Sequence, residues 1–178
     1  MKEISLHILD LVENSISAGA KNILVEIMKD SKFLRIRIKD DGKGMSEDIL
    51  KEIKNPFTTT RKTRRVGLGI SLFNEIVSSC GGNLEIKSKL GEGTELVAIL
   101  PASHLDLPPM GNISGTIYAL VATCPDIDFF FKISFDDKNF ELSTKDLKAE
   151  LGEIPINHPQ ALSFLRLYLE KNLGGIGI

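Results

Sequence analysis

The chain has 178 residues, of which 42% are hydrophobic and 26% are charged, and its net charge is −2. This hydrophobic content is enough to bury a core without disulfide bonds, and the small net charge argues against a general affinity for nucleic acid or for a membrane surface. No apolar run approaches the roughly 20 residues that cross a bilayer, and Cys80 and Cys124 show neither metal-binding nor redox spacing. We therefore expect a cytoplasmic protein without membrane or nucleic-acid partners.

Hydrophobic periodicity divides the first hundred residues into helices and strands. Apolar residues from Ile4 to Ile16 recur at helical spacing, which predicts an amphipathic helix over residues 3–18. Alternation of apolar and polar residues predicts four strands. These strands lie at residues 22–29, 33–40, 83–89 and 94–100. Two shorter helices at 46–54 and 67–80 are predicted between them, together with a basic loop at 55–66.

The composition changes after residue 100. Residues 101–112 contain three prolines and one glycine, which predicts a linker over residues 103–112. The linker would separate a first domain, residues 1–102, from a C-terminal extension, residues 113–178. The predicted elements of the extension are strands at 113–123 and 128–135, a turn at 136–139 that leads to a short strand, and a strongly apolar helix at 157–173.

One carboxylate lies at an unusual place on the second predicted strand. The period of two places Asp40 on the same face as the apolar residues of that strand. Burying an ionised carboxylate costs several kcal/mol unless a partner satisfies it, so we expect Asp40 to accept a hydrogen bond from a ligand. The alternative is a strand-end residue that caps the following turn, a role for which Asp41 is better suited.

Four separated segments become informative when they are taken together, at residues 10–14, 40–44, 67–69 and 93–94. In this order and spacing they closely resemble the N, G1, G2 and G3 boxes of the GHKL superfamily. That superfamily includes DNA gyrase, MutL, the heat-shock chaperone ATPase and the catalytic domains of histidine kinases. The sequence segment LVENSISAGA, followed by LRIRIKDDGKGM, looks most like MutL. The resemblance covers roughly residues 3–101.

The resemblance implies a fold and two cofactors. The expected fold class is α+β, a two-layer α/β sandwich of the Bergerat ATP-binding type whose mixed sheet has helices on one face, plus a small C-terminal α+β extension. The expected cofactors are ATP and Mg²⁺. The segment before the first predicted helix is too short to hold the phosphoacceptor helix of a sensor histidine kinase, so we expect no such dimerisation domain in this chain.

The resemblance assigns the adenine end of the site to the second and fourth boxes. In the family, the residue matching Asp40 accepts a hydrogen bond from the adenine amino group, usually with a water shared with a threonine, and Thr94 occupies that threonine position. Gly42 and Gly44 allow the backbone to approach the flat base, and Met45 follows in the same box. An ordinary glycine turn would contain the same two glycines, so Asp40 and the other boxes decide between the two interpretations.

The third box points to the phosphates. Gly67, Leu68 and Gly69 open a predicted helix whose free N–H groups and positive dipole end favour an anion. No Walker A pattern occurs, and no strand precedes these glycines as in a dinucleotide fingerprint. The basic loop before them resembles the ATP lid of the family, although each of its side chains can equally be a solvated surface residue. The loop residues that we assign to the nucleotide are Phe57, Thr59, Arg61 and Lys62, and the alternative for Phe57 is a core side chain that anchors the loop.

The first box carries the candidate metal ligand and base. The family counterpart of Asn14 coordinates the Mg²⁺ that bridges the phosphates, and an amide oxygen suits this hard cation. Asp10 lies one turn earlier, where MutL, gyrase and related kinases usually carry a Glu that acts as general base. Asp is one methylene shorter, which puts hydrolysis in doubt because the base must reach the attacking water. The alternative is a polar stripe that faces solvent, and His7 on that stripe is predicted to be a surface residue.

Two classes of function remain open. The first is a regulatory ATPase or a stand-alone protein kinase, similar to the anti-sigma-factor serine kinases. The second is a non-catalytic, nucleotide-gated protein-binding module. Apolar residues nearly encircle the predicted helix at 157–173, and such a helix must be buried. We expect it either to pack on the ATP domain or to dock a regulatory protein partner or a second copy of the chain.

Overall fold

A computed structural model describes residues 3–54 and 68–174. Five of the predicted nucleotide contacts concern the predicted lid and the glycine after it, and they lie outside the described residues. They are Phe57, Thr59, Arg61, Lys62 and Gly67. The side chain of Leu68 is likewise not described.

The described strands form one mixed sheet. They are β1 (Asn22–Lys29), β2 (Phe33–Asp40), β3 (Asn83–Lys89), β4 (Gly93–Pro101), β5 (Asp128–Phe135) and β6 (Lys138–Ser143). Their order in the sheet is β3-β4-β2-β1-β5-β6. All neighbouring pairs are antiparallel except β1 and β5, which run parallel. The C-terminal segment therefore continues the same sheet that the first hundred residues begin.

The described helices are α1 (Ile4–Ser17), α2 (Glu47–Lys54), α3 (Leu68–Ser79), α4 (Ile113–Thr123), α5 (Thr144–Leu151) and α6 (Pro159–Leu173). In the part of the chain that the structure describes, none of them is long and apolar enough to span a membrane.

Alternation along the strands turns one face of the sheet toward the helices. The residues of this face are almost fully buried, and those of the central strands are Ile23, Val25, Ile27, Leu34, Ile36, Ile38, Phe129, Phe131 and Ile133. The opposite face keeps large side chains in contact with solvent, among them Met28 and Phe130. The predicted α+β fold class, a two-layer sandwich with a mixed sheet, is therefore confirmed.

The prediction of a strand at 113–123 is wrong, because these residues form α4. The segment is rich in β-branched residues, which favour strands. Its buried residues Ile113, Ile117, Leu120 and Val121 nevertheless follow helical spacing. Asn112 caps the helix by accepting a hydrogen bond from the Gly115 N–H at 2.7 Å. Packing against α1 and α6 thus outweighs the local strand preference.

Two further features of the C-terminal segment concern its last two helices, α5 and α6. Helix α5 was not predicted, although Ser143 caps it by accepting a hydrogen bond from the Asp146 N–H at 3.2 Å. Helix α6 packs on the rest of the chain with only part of its apolar surface. Its residues Leu165 and Leu169 are buried, whereas Phe164 is 62% exposed and Leu167 is 66% exposed. The helix therefore presents an apolar face to solvent.

Candidate functional site

A cavity of about 470 Å³ opens between α1, the turn after β2, and the start of β4. Its volume lies within the range of small-ligand sites. The predicted residues Asn14, Asp40, Gly44, Met45 and Thr94 all line it. The remaining lining residues are Leu11, Ser15, Ser17, Ala18, Ile38, Lys43, Ile70 and Leu96.

The Asp40 carboxylate is the buried acid of this cavity, with an exposed fraction of 7%. Its Oδ1 accepts hydrogen bonds from the Gly42 N–H at 2.9 Å and from the Thr94 N–H at 3.3 Å. Its Oδ2 accepts one from the Ser15 hydroxyl at 2.7 Å. A carboxylate offers about four acceptor positions, so one position on Oδ2 is left without a donor among the described residues and can accept from a ligand in the cavity. Asp40 therefore has both a turn-capping role and the capacity to bind a ligand amino group.

Ser15 is a site residue that the sequence analysis missed. It lies four residues after Leu11 and three after Val12, so it falls on the apolar stripe of α1 rather than on the polar one. A hydroxyl on an apolar helix face needs a partner elsewhere in the fold, and this was the available signal. The partner is Asp40, 25 residues away.

Two glycines allow the turn after β2 to lie against the β3–β4 hairpin. Gly44 has a φ of +66°, and a Cβ built on it would lie 2.0 Å from the Lys89 carbonyl oxygen. Gly93 has a φ of +95°, and its Cβ would lie 2.0 Å from the Asp40 carbonyl oxygen. Both positions exclude a side chain, because positive φ and close backbone contact coincide. Gly44 therefore presents backbone, without a side chain, to the cavity.

Thr94 reaches its place through the strand register. It lies opposite Asp40 in the β2–β4 ladder, and its hydroxyl is 2.8 Å from the Ser88 hydroxyl. Ser88 also accepts a hydrogen bond from the Met45 N–H at 2.8 Å. Ser88 was missed by the sequence analysis because nothing in β3 marks it. It connects the threonine to the turn that carries Met45.

Asp10, Asn14 and Gly69 meet at the contact between α1 and α3. A Cβ built on Gly69 would lie 3.4 Å from the Asp10 Cβ and 3.5 Å from the Asn14 Nδ2. The buried Asn14 Nδ2 makes no hydrogen bond within the described residues. Asp10 is half-buried and does not line the cavity. The structure thus places the predicted metal ligand and the predicted base next to the first turn of α3.

His7 is buried, and the prediction of a surface position is wrong. Its exposed fraction is 1%, and its ring centroid lies 5.7 Å from that of Phe73 on α3. The tight approach of α1 to α3 covers the side of the polar stripe on which His7 lies, whereas Glu13 stays exposed. His7 therefore belongs to the interface between the two helices.

Asp41, which follows Asp40 in the sequence, has a structural role. Asp41 accepts hydrogen bonds from the Lys21 N–H, the Asn22 N–H and the Asn22 side-chain amide at 2.7–2.9 Å. Burial alone would raise the pKa of Asp41, but the bonds from Asn22 and Lys21 outweigh it and hold the pKa below its ordinary value of 3.8. Asp41 thus ties the end of β2 to the start of β1.

Comparison with known proteins identifies the family. The family model described as "Histidine kinase-, DNA gyrase B-, and HSP90-like ATPase" matches residues 2–104. The chain belongs to this family. Sporulation kinase C of Bacillus subtilis is 34% identical over 95 residues, which are 52% of this chain and 22% of that protein. A putative sensor protein of Shewanella frigidimarina is 31% identical over 103 residues, 56% of this chain and 16% of that protein. The chain thus spans about a fifth or less of these two relatives.

Two solved structures share the fold. The Aquifex aeolicus MutL ATPase domain complexed with ADP has a TM-score of 0.50 and 18% identity, and covers 85% of this chain and 68% of that one. The N-terminal domain of a DNA repair protein has a TM-score of 0.53 and 15% identity, with 79% and 52% covered. The family model matches 103 of the 178 residues, or 58% of the chain, whereas the two structures cover 79% and 85% of it. The structural likeness therefore extends into the C-terminal segment.

The described residues fit the adenine nucleotide that ATPase domains of this family bind. The free acceptor position of Asp40 matches an amino group, the backbone at Gly44 admits a flat ring, and apolar side chains such as Ile38 and Leu96 line the cavity. At the α3 end, the Nδ2 of Asn14 has no hydrogen-bond partner among the described residues, and turning the amide over would present its oxygen, which suits a hard cation. Lys43 adds a positive charge that the sequence analysis did not assign.

Proposed function

We propose that this chain binds Mg-ATP and turns it over as a regulatory ATPase or a stand-alone protein kinase. The observation that carries the proposal is the meeting of Asp10, Asn14 and Gly69 at the first turn of α3. This arrangement joins an acceptor carboxylate, an unpaired amide and a helix N-terminus. The three groups suit proton abstraction, cation binding and phosphate binding respectively.

Each residue would have a defined task in turnover. Asp40 would orient the base through its free acceptor position, supported by Ser15. Asn14 would hold Mg²⁺, which supplies neutralisation of the phosphate charge when bound. Asp10 would accept a proton from the attacking water or hydroxyl, through a second water where its shorter side chain does not reach. Its position outside the cavity lining agrees with such an indirect role.

Asp10→Asn is expected to lower turnover of Mg-ATP roughly a hundredfold, because general-base catalysis contributes on the order of 10²–10⁴. The affinity for Mg-ATP should stay close to wild type, since Asp10 does not line the cavity. Incubation with labelled Mg-ATP, alone and with cell extract, would follow both ADP and protein-bound phosphate. Asp10→Glu is the matched variant and should retain turnover. An Asp10→Asn protein that turns over at the wild-type rate would show that Asp10 is not the base.

The same measurement separates the classes of function. ADP formation without labelled protein supports the ATPase, and labelling of a protein in the extract supports the kinase. Binding without either outcome would support the second candidate, a nucleotide-gated protein-binding module. A specific observation favours that candidate as well: Phe164, Leu167 and Tyr168 form an exposed apolar stripe at positions i, i+3 and i+4 of α6. We propose this stripe as the docking surface for a regulatory protein partner or a second copy.

Leu167→Glu is expected to abolish docking at this stripe, because a charge would have to be buried at its centre. Sedimentation over a range of protein concentrations would measure self-association of the wild type and the variant. Leu105, which is fully exposed and does not belong to α6, supplies the control Leu105→Glu. A wild-type chain that stays monomeric would exclude the homodimer, and pull-down with the two variants would then test a different partner.

The C-terminal segment has a second proposed role, which is to hold α1 in place. The Ile4 N–H donates to the Pro109 carbonyl at 2.9 Å, and the Ser5 N–H donates to the Met110 carbonyl at 2.8 Å. The first N–H groups of a helix have no partner within the helix, so the predicted linker caps α1. Thr116 of α4 adds a 3.5 Å hydrogen bond to the Ser5 carbonyl. Because α1 carries Asp10 and Asn14, we propose that residues 103–174 support the nucleotide site rather than form a separable unit.

A further inference from the structure

A second cavity, of about 390 Å³, lies where the C-terminal strands join the sheet. Its residues come from the ends of β1, β2, β5 and β6, from the start of α5 and from the β3–β4 turn. Lys39 and Asp40 are neighbours on β2 and point to opposite faces of the sheet. Asp40 is buried toward the helices, whereas Lys39 is exposed. The exposed side chains of the cavity therefore lie on the face opposite the nucleotide cavity, and Asp40, at the end of β2, lines both cavities.

The floor of this cavity is one row of side chains across four strands. Lys39 lies opposite Leu24, Leu24 lies beside Phe130, and Phe130 lies opposite Ser143. Leu24 is half-buried and Phe130 is 39% exposed, so the middle of the row is apolar and open to solvent. Lys145 follows at the start of α5 and also lines the cavity. The row spans three strand spacings, roughly 14 Å at about 4.8 Å each.

The acids around this row are bonded to other groups of the protein, whereas two lysines are not. Four acids line the cavity, and each is engaged within the protein. Asp128 forms an ion pair with Lys148 at 2.8 Å, and Glu92 forms one with Lys89. Asp40 and Asp41 accept hydrogen bonds from backbone N–H groups and from the side chains of Ser15 and Asn22 respectively.

Lys39 and Lys145 form no hydrogen bond or close ion pair with any described residue. Lys39 lies opposite Glu95, but the Glu95 carboxylate is bonded to Arg37 at 2.7 Å. Two lysines and four acids thus line the cavity, and of these six charged side chains only the two lysines lack a bonded partner among the described residues.

The neighbouring row of the same sheet face consists of paired charges. Two residues further along the strands, Arg37 pairs with Glu26 at 2.7 Å and Lys132 pairs with Glu141 at 3.5 Å. These charges satisfy one another, so they offer a ligand neither an apolar surface nor an unpaired charge. The binding capacity is confined to the row of Leu24 and Phe130 with its two lysines.

We propose that this second cavity binds a small planar aromatic anion, at a site that adjoins the nucleotide cavity at Asp40. The apolar row would contact the aromatic body, with the exposed Phe130 ring as a stacking surface. The ammonium groups of Lys39 and Lys145 would attract the acidic group. The volume suits a small molecule. Aromatic carboxylates and aromatic phosphates share this chemistry, and the experiment distinguishes them.

The probe is 8-anilinonaphthalene-1-sulfonate, a fluorescent aromatic anion, titrated into the chain of 178 residues. Lys39→Glu combined with Lys145→Glu is expected to weaken its binding at least tenfold. Lys43→Glu is the matched control, because Lys43 is an exposed lysine that lines the nucleotide cavity, and it should leave the affinity unchanged. Unchanged binding to the double variant, or binding lost in Lys43→Glu alone, would overturn the proposal.

Displacement of the bound probe identifies the class of ligand. 1-Naphthoate and 1-naphthyl phosphate are expected to displace it, and the stronger of the two indicates whether a carboxylate or a phosphate is preferred. Neutral 1-naphthol should displace it at least tenfold less effectively. Equal displacement by 1-naphthol, or no displacement by either anion, would show that the cavity does not select aromatic anions. None of these outcomes depends on ATP binding, so the second site and the proposed function can fail separately.

Discussion

Asp40→Asn is expected to weaken nucleotide binding roughly a thousandfold, about 4 kcal/mol, while the protein stays folded. The substitution replaces Oδ2 or Oδ1 by an NH₂ group of the same size. With NH₂ in the Oδ2 position, the Ser15 hydroxyl can reverse its bond and accept, but the free acceptor position in the cavity becomes a donor. The expected loss of about 4 kcal/mol has two parts: a charge-assisted hydrogen bond to the ligand is lost, and the new NH₂ group faces the amino group of the ligand, so that two donors oppose each other. Calorimetric titration with Mg-ATP would measure it.

Two neighbouring variants make this result specific. Ser15→Ala removes one of three bonds that orient Asp40, so it should weaken binding less, by roughly tenfold. Asp41→Asn should leave the affinity nearly unchanged, because the Asp41 carboxylate is engaged at the start of β1. An Asp40→Asn protein that binds Mg-ATP like the wild type would show that the cavity is not the adenine site.

Asp41→Asn has its own expected signature, a loss of stability that depends on pH. The pKa of Asp41 is lower in the folded protein than its ordinary value of 3.8, so its ionised form stabilises the fold above that value. The contribution is lost as the pH falls through the lowered pKa. Urea unfolding at pH 7 should therefore show a less stable variant, and the difference from wild type should shrink below pH 3.8. A pH-independent difference would assign the effect to altered packing instead.

Removal of residues 103–178 is expected to abolish cooperative folding. Strand β5 pairs with β1 along its entire length, so the deletion exposes a central strand of the sheet. It also removes many buried side chains, each of which contributes about 1.5–3 kcal/mol, whereas whole domains are stable by only about 5–15 kcal/mol. The lost residues include Ile113, Ile117, Leu120, Phe129, Phe131, Ile133, Leu165 and Leu169. A cooperative thermal transition of residues 1–102, together with Mg-ATP binding, would instead support the independent first domain predicted from the linker.

A pair of glycine variants tests the same contact in the intact chain. Gly111 and Gly152 have similar positive φ angles, +75° and +60°, so alanine at either costs about 1–2 kcal/mol of backbone strain. At Gly111 the new Cβ would also lie 2.4 Å from the Ser5 hydroxyl and from a Glu3 carboxylate oxygen, whereas at Gly152 it meets nothing within 4 Å. We expect a total loss of about 3 kcal/mol for Gly111→Ala and weaker Mg-ATP binding, because α1 must shift. If both variants lost the same free energy of unfolding and bound Mg-ATP like the wild type, the contact between the linker and α1 would not support the nucleotide site.

Local patterns were sufficient for the elements of the first hundred residues. Helix α1 and strands β1 to β4 follow from the spacing of apolar residues, because each is a continuous segment whose buried face repeats in the sequence. The resemblance to the ATPase family rests on the same kind of information, short boxes in a set order. The family model that matches residues 2–104 confirms the family.

Local sequence patterns do not predict contacts between residues that are far apart in the chain. The hydrogen bond between Ser15 and Asp40 joins α1 to β2, and the contact of His7 with Phe73 joins α1 to α3. In each case one partner looks ordinary within its own segment. Their roles follow from packing that brings together residues far apart in the chain.

The sequence by itself therefore determined the family, the order of the first elements, and a buried carboxylate at the end of β2. Only the tertiary structure decided that residues 113–123 form a helix, that β5 lies parallel to β1, and that the predicted linker caps α1. The physical reason is the range of the interactions. Periodicity records which side of an element is buried, whereas its neighbours, its register and the cavities between elements depend on the whole chain packing at once.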